Sequence, residues 1–267
     1  PPRSTQGVSS AASDVYKRQI MNRPERRNAM SDEMLNDMLN ELNKASFDTS
    51  IRVIVLTGAG NAFCAGGDVK DMAEEKDSGG KTTQQKTSDL RRVMETSRLL
   101  HEITTPTIAV IPGPAAGAGF SLAMACDMRI ACESSKFTTA FAKVGFPGDF
   151  GGSYFLTQMI GTAKARELYY LAELMTAQKA YEIGIINKVI ADNEFEDEVK
   201  KIITHIASGP SIAYRYMKTN MNVAELGDLN QSLDSEAMHQ TLCRSTEDHQ
   251  NATKAFVEKK QPIFKGT

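Results

Sequence analysis

No apolar run in this sequence approaches the roughly 18 residues that a membrane-spanning helix requires, and no CxxC, HxxxH or HExxH pattern occurs. Each absence removes a class of protein. The four cysteines, Cys64, Cys126, Cys132 and Cys243, stand singly, three of them in apolar surroundings, which reads as buried free thiols in a reducing, cytoplasmic compartment rather than disulfides or ligands. The four histidines are scattered, so no metal is expected. A net charge of −2 and a pI near 6.2 give no basic field for nucleic acid or an anionic membrane surface. No internal repeat is evident. What remains is a 267-residue, 41% hydrophobic chain, enough for one large domain or a domain with a helical appendage.

The chain is organised around residues 107–156. An apolar run over 107–111 is followed by a small-residue turn, Gly113 to Gly119, and then by an apolar segment over 120–126 that reads as a buried helix. Strand, Gly-rich turn and helix start, in that order, leave free backbone N–H groups with the positive end of the helix dipole behind them. A second turn of this kind lies upstream, where the β-rich run 52–57 leads through Gly58-Ala59-Gly60 to Phe63-Cys64-Ala65-Gly66-Gly67-Asp68-Val69-Lys70. If the two turns meet, one N–H from each grips a single oxygen, which is an oxyanion hole. Either turn alone is equally well explained by close backbone packing.

The pair FCAGGDVKDM and GPAAGAGFSLAMACDMRIA, with NRPERRNAMS before it and TAQKAYEIGIINKVI after it, resembles the crotonase (enoyl-CoA hydratase/isomerase) superfamily over nearly all of residues 20–265. The resemblance implies an α/β fold, a crotonase-like spiral of ββα units (20–205) with a C-terminal helical trimerisation region (206–267). It also implies an acyl-CoA thioester substrate, no cofactor beyond the CoA carried by that substrate, and a homotrimer or dimer of trimers. The two oxyanion donors carried over by position are the N–H groups of Gly67 and Ala118.

Residues 1–19 fit this pattern poorly. They are polar and Ser/Ala-rich, have no signal-peptide core, and leave only 19–21 of the strand that relatives carry before NRPERRNAMS, so a disordered or foreign segment is expected there. Ser31 is placed to cap a helix whose apolar positions are Met34, Leu35, Met38, Leu39 and Leu42. By resemblance the loop before it contacts the CoA nucleotide, making Arg26, Arg27 and Ala29 candidates; by charge alone the arginines read equally as a solvated turn. Ala65, Asp68 and Val69 are further substrate-binding candidates, although Asp68 also reads as structural in its turn. Residues 72–89 are polar with Gly79-Gly80, a surface loop or a flap over the acyl pocket, with a helix beginning near Ser88. Later helices are expected over 162–174, 177–184, 210–221, 229–243 and from 247, with a strand over 185–190. In relatives the tail reaches a CoA site, so Phe264 and Lys265 are candidates; without the resemblance they read as a terminus.

The chemistry turns on carboxylates. Hydratases of this superfamily use two glutamates, and here those positions read Ser121 and Phe141, neither of which serves as a general base. A two-glutamate hydration is therefore not expected. Asp149 falls where several isomerase branches, including the ring-epoxide and oxepin-CoA isomerases, place their one acid/base residue. Phe141, Phe146 and Phe150 form an expected apolar wall that raises its pKa, and the first two are candidate substrate contacts. Read by itself, Asp149 before Gly151-Gly152 is better explained as an ordinary helix cap. The resemblance favours an enoyl-CoA isomerase with Asp149 as acid/base. The alternatives are hydration directed by Asp149 alone, Asp149 as a nucleophile as in the aryl-CoA dehalogenases, and CoA-ester binding without turnover. Those dehalogenases also use a tryptophan, and this chain has none.

Overall fold

The computed structural model describes residues 8–13, 16–69, 72 and 80–267. Its frame is a six-stranded sheet in the order β1-β2-β3-β4-β6-β9, built from β1 (Val8–Ser13), β2 (Tyr16–Met21), β3 (Ile54–Gly58), β4 (Thr107–Ile111), β6 (Met128–Cys132) and β9 (Lys188–Ile190). The β1–β2 pair is antiparallel; every other neighbouring pair is parallel. A smaller sheet joins β5 (Ala115–Ala116), β7 (Lys136–Thr138) and β8 (Met175–Thr176). Successive turns of chain lay one strand in each sheet: β4 pairs with β6 while β5 pairs with β7, both in parallel. That repeat is the spiral of ββα units the resemblance implied.

The central strands are apolar throughout because both faces are covered. Ile54, Leu56, Ala109 and Ile111 face one core with α1 (Asp32–Phe47) and α4 (Ala118–Ala125), whereas Val53, Val55, Ile108, Val110 and Ile130 face a second core with α7 (Phe195–Ala207). Alternation with period two thus sorts one run of β-formers into two layers. Ser31 caps α1 by accepting the Met34 N–H at 3.2 Å, and Met34, Leu35, Met38 and Leu42 are buried as the spacing predicts. All eight residues of α4 are buried, the signature of a helix apolar on every side.

Several boundaries differ from the sequence reading. The disordered or foreign segment expected over 1–19 falls partly on residues 1–7 and 14–15, which lie outside the described residues. Where the chain is described, Val8–Ser13 and Tyr16–Met21 pair in register, Val8 with Met21 and Ser13 with Tyr16, so the strand extends well beyond 19–21. The flap or loop expected over 72–89 includes residues 73–79, also outside the described residues. Its far end is a helix, α2 (Thr83–Val93), which starts before Ser88 because Thr82 and Gln85 form a reciprocal capping box. It is followed by α3 (Glu95–Glu102). The helix expected from 162 is there as the second part of α5 (Gly152–Leu171), starting after a kink at Gly161 (φ +77°), and it is preceded by a helical stretch over 152–160 that the sequence reading did not give. Then come α6 (Ala177–Glu182), α8 (Ser211–Leu226), α9 (Leu229–Arg244) and α10 (Glu247–Val257).

The C-terminal helices are fastened to the spiral by polar contacts from α8. Arg215 donates to the carbonyls of Thr49 and Ile51, and Asn222 donates to that of His101. Lys218, only 6% exposed, pairs with Asp127 at 2.9 Å and donates to Leu100 O at 3.0 Å. Asp127 in turn accepts the Thr107 N–H at 2.7 Å. Removing one member of a buried, hydrogen-bonded pair leaves the other desolvated and unpaired. Lys218→Met is expected to cost about 3 kcal/mol of stability, read as a lowered urea midpoint.

Candidate active site

The two glycine-rich turns meet because they leave the C-terminal ends of adjacent parallel strands. β3 runs into the turn of residues 59–67, β4 into that of 112–117, and strands of parallel sheets open their crevices at this end. Backbone hydrogen bonds stitch the turns together: Cys64 N–H to Pro114 O at 3.3 Å and Ala116 N–H to Cys64 O at 2.9 Å. A third segment joins them through Met30 N–H to Gly66 O at 2.8 Å. Gly119 is required by this approach, since a Cβ there would lie 2.5 Å from the Cys64 carbonyl oxygen.

Gly66 adopts φ +93° and presents its bare Cα to the second turn: a Cβ on it would sit 2.9 Å from Ala116 O and 3.4 Å from the Ala118 nitrogen. Gly67 follows directly. Among the described residues, neither the Gly67 N–H nor the Ala118 N–H donates a hydrogen bond within the chain. Ala118 is the first residue of α4, so the positive end of that helix lies behind its N–H. Two unengaged donors on stitched turns are what a developing oxyanion needs. Cys64, between them, is no nucleophile; burial pushes its thiol up to about 12, and its sulfur donates to Asn28 O at 3.1 Å.

Asp149 lies close enough to these turns for its charge to act on the Cys64 thiol. Its Oδ1 is buried and unpaired, and burial pushes the carboxyl up to about 6. It does not cap α5: the N-cap is Gly151, and Asp149 serves that helix only through its carbonyl, which accepts the Gly152 N–H at 3.0 Å. Gly148, Phe150 and Gly151 all have positive φ, +112°, +47° and +75°. A non-glycine residue held there is strained. Of the expected apolar wall, Phe141 and Phe150 are buried, whereas Phe146 is 50% exposed. Phe146 follows a tight turn after residues 141–144 and projects outward from it.

Tyr169 escaped the sequence reading. It lies on α5 in a stretch whose apolar pattern marked it only as a helix residue, yet its ring stacks on Phe141 at 5.8 Å and its hydroxyl is buried without a partner. Burial and then the Asp149 charge push that hydroxyl above its ordinary value, so it stays protonated. Ser121, one turn along α4 from Gly117, donates to Gly117 O at 3.3 Å.

The expected CoA contacts divide into two groups. Arg26, Arg27, Ala29, Ala65, Asp68 and Val69 lie on the joined turns: Ala65 N–H donates to Arg27 O at 3.0 Å, and Arg23 donates to Ala29 O at 2.7 Å. Asp68 is turned inward, 3.2 Å from Arg23 and 3.5 Å from Arg26, which makes it a fastening of the turn. Arg27 and Val69 are exposed. Phe264 and Lys265 are not brought to this place within one chain. Arg52 donates to Phe264 O at 3.1 Å and Asp248 accepts the Lys265 N–H at 2.7 Å. Arg52 precedes β3, so the tail is held at the start of that strand, whereas the Asn28 turn packs at its Gly58 end.

The enoyl-CoA hydratase/isomerase family model matches residues 17–267. A 1,2-epoxyphenylacetyl-CoA isomerase of Escherichia coli (strain K12) is 35% identical, the alignment covering 92% of this chain and 93% of that protein. A crotonyl-CoA hydratase of Syntrophomonas wolfei is 32% identical, with 91% and 92% covered. Among solved structures, an enoyl-CoA hydratase from Bacillus anthracis superposes with a TM-score of 0.90 at 31% identity, over 98% of this chain and 100% of that one. A family match spanning both turns, the spiral and the C-terminal helices means that this chain belongs to the enoyl-CoA hydratase/isomerase family, within the crotonase superfamily.

Proposed function

We propose that the chain is an enoyl-CoA isomerase in which Asp149 carries a proton between two carbons of the acyl group. Asp149 removes a proton from C2 of a 3-enoyl-CoA, and the electron pair moves onto the thioester oxygen. The Gly67 and Ala118 N–H groups hold that oxygen as the enolate forms. The carboxyl then returns the proton at C4, the double bond moves to C2–C3, and the carbonyl reforms. The observation that carries the reading is the half-buried Asp149, its Oδ1 enclosed and unpartnered, with a pKa near 6, low enough to be ionised at neutral pH and high enough to be a competent base. Ser121 and Phe141 supply no second base, which argues against a hydratase that needs two carboxylates. The exposed apolar side chains of the C-terminal helices, Met221, Leu226, Leu229 and Leu233 among them, favour assembly with further copies of the chain.

Turnover of 3-enoyl-, 2-enoyl- and ring-epoxide CoA thioesters by the native protein and Asp149→Asn tests this. Isomerisation should fall by about 10²-fold or more in the variant. Hydration of 2-enoyl-CoA without isomerisation would replace the reading with a single-carboxylate hydratase, and tight binding without turnover would replace it with a CoA-ester binder. In the native enzyme kcat/KM should rise with pH around a midpoint near 6, since the base must be ionised.

The same group has a stability signature. A carboxyl whose pKa is higher folded than unfolded binds its proton more tightly in the folded state, so its contribution is fully present below pH 3.8 and is lost as pH rises through about 6. At pH 7, Asp149→Asn should therefore be more stable than the native protein by about 3 kcal/mol. Urea midpoints at pH 4 and pH 7 measure it: the gap between the two proteins should widen with pH.

A further inference from the structure

Gly152 and Tyr169 are seventeen positions apart on α5, and an unbroken helix would hold them about 25 Å from each other. Instead the chain reverses at the Gly161 kink, where φ is +77° and ψ 160°, and the second part of α5 returns to the turn from which the first part starts. A Cβ on Gly152 would lie 2.6 Å from the Tyr169 hydroxyl oxygen, with Ser121 Oγ closer still. A Cβ on Gly148 would lie 2.8 Å from Tyr169 Cε1 and 3.2 Å from that oxygen. The phenol thus stands against both glycines of the 148–152 turn, one on either side of Asp149. It is held there from behind. Phe141 stacks on its ring, 18° from parallel, and the end of the helix is tied down by Thr139 Oγ1, which donates to Leu168 O at 2.8 Å, and by Thr138 Oγ1, which donates to Ala172 O at 3.0 Å.

The two carboxyl oxygens of Asp149 are not equivalent. Oδ1 is enclosed without a partner, whereas Oδ2, which has no partner in the chain either, stays accessible. The titratable groups near the carboxyl are the Tyr169 hydroxyl, where its charge is felt, and the Cys64 thiol; burial holds both protonated, and among the described residues no charged side chain pairs with it. We propose that Tyr169 is a positioning residue for the proton shift: its hydroxyl fills the space between Gly148 and Gly152, keeps water from Oδ1, and leaves Oδ2 as the one oxygen that takes the proton from C2 and returns it at C4. The C2–H bond breaks with its electron pair moving to the thioester oxygen, and the C4–H bond forms as the carbonyl returns. With the acyl group over Oδ2, the proton held on the carboxyl has no second route to solvent, so the proton removed is the proton returned. The hydroxyl oxygen is the atom that reaches Gly152, and without it a gap beside Ser121 is open to water. The inference rests on Asp149 as the proton carrier.

Tyr169→Phe keeps the ring on Phe141 and removes only the oxygen, and two measurements read its effect. The first is isomerisation of a 3-enoyl-CoA in deuterium oxide. The native product should carry little deuterium at C4; in the variant that content should rise toward the solvent's own, while the midpoint of the kcat/KM pH profile falls from near 6 by about one pH unit, toward the ordinary carboxylate value of 3.8, with KM unchanged. The second needs no turnover. At pH 7 the urea-midpoint gap between Asp149→Asn and its parent should be smaller in the Tyr169→Phe background than in the native one, because a hydrated carboxylate destabilises the fold less. A midpoint that rises with a gap that widens would make the phenol a hydrogen-bond donor to the carboxylate and overturn the proposal. Deuterium content, midpoint and gap that all stay in place, with isomerisation still dependent on Asp149, refute the role of Tyr169 alone. A gap that shrinks in a protein that does not isomerise 3-enoyl-CoA refutes the proton shift and leaves the shielding of Oδ1 standing.

Discussion

The backbone stitching of two turns at the ends of adjacent parallel strands is the constraint on which the rest depends. Cys64 N–H and O bond across to Pro114 and Ala116, and Gly66 fits against Ala116 and Ala118 only because it lacks a Cβ. The β3–β4 register brings the two strand ends together, and that register is fixed because each strand is buried on both faces. A one-residue slip would exchange the two cores. The site is thus positioned by the same packing that stabilises the fold, and the two free N–H groups need no side chain to hold them. N–H donors supplied by backbone carry no side-chain group of their own and are exposed to changes in what packs beneath, above all Gly119 against Cys64.

Much of this was legible in residue order. The β4–turn–α4 progression, the Ser31 cap and the apolar face of α1 follow from period, small residues and capping chemistry, and the structure matches them closely. Elements without an apolar signature were not legible. Most of α2 is exposed, so its start is set by the Thr82–Gln85 box and not by hydrophobic spacing. Helix α5 opens on Gly151-Gly152 and is broken at Gly161, residues that read as turn formers in a sequence. The hairpin of β1 and β2 is built from a polar stretch, and the family match begins only at residue 17, inside β2.

Within the site, Asp149 was found by its place in a motif, and its burial then emerged from the structure. Tyr169 could not be found that way. An aromatic twenty residues downstream on a helix is, by pattern, core filling; only the placement of its hydroxyl beside Gly148, Gly152 and Ser121 gives it meaning. The placement of Phe264 and Lys265 likewise required the fold, because distance across the sheet is invisible in a list of residues.

Two charged side chains in this chain, one buried and one half-buried, illustrate how structure and function part company. Lys218 is more deeply buried than Asp149, but its ammonium meets Asp127, Leu100 O, Thr105 O and Thr107, so each bond that water offered is replaced. Such a network fixes one arrangement, here the docking of α8 on the spiral, and has nothing left to offer a ligand. Asp149 is surrounded by glycines, Phe141, Phe150 and a phenol that does not reach it, and its carboxyl oxygen has no protein partner at all. The desolvation that satisfies no one in the free protein is relieved only when a proton or a substrate atom arrives. Burial alone does not mark a candidate functional group; burial with an open hydrogen-bonding valence, near two turns whose N–H groups are unengaged, does.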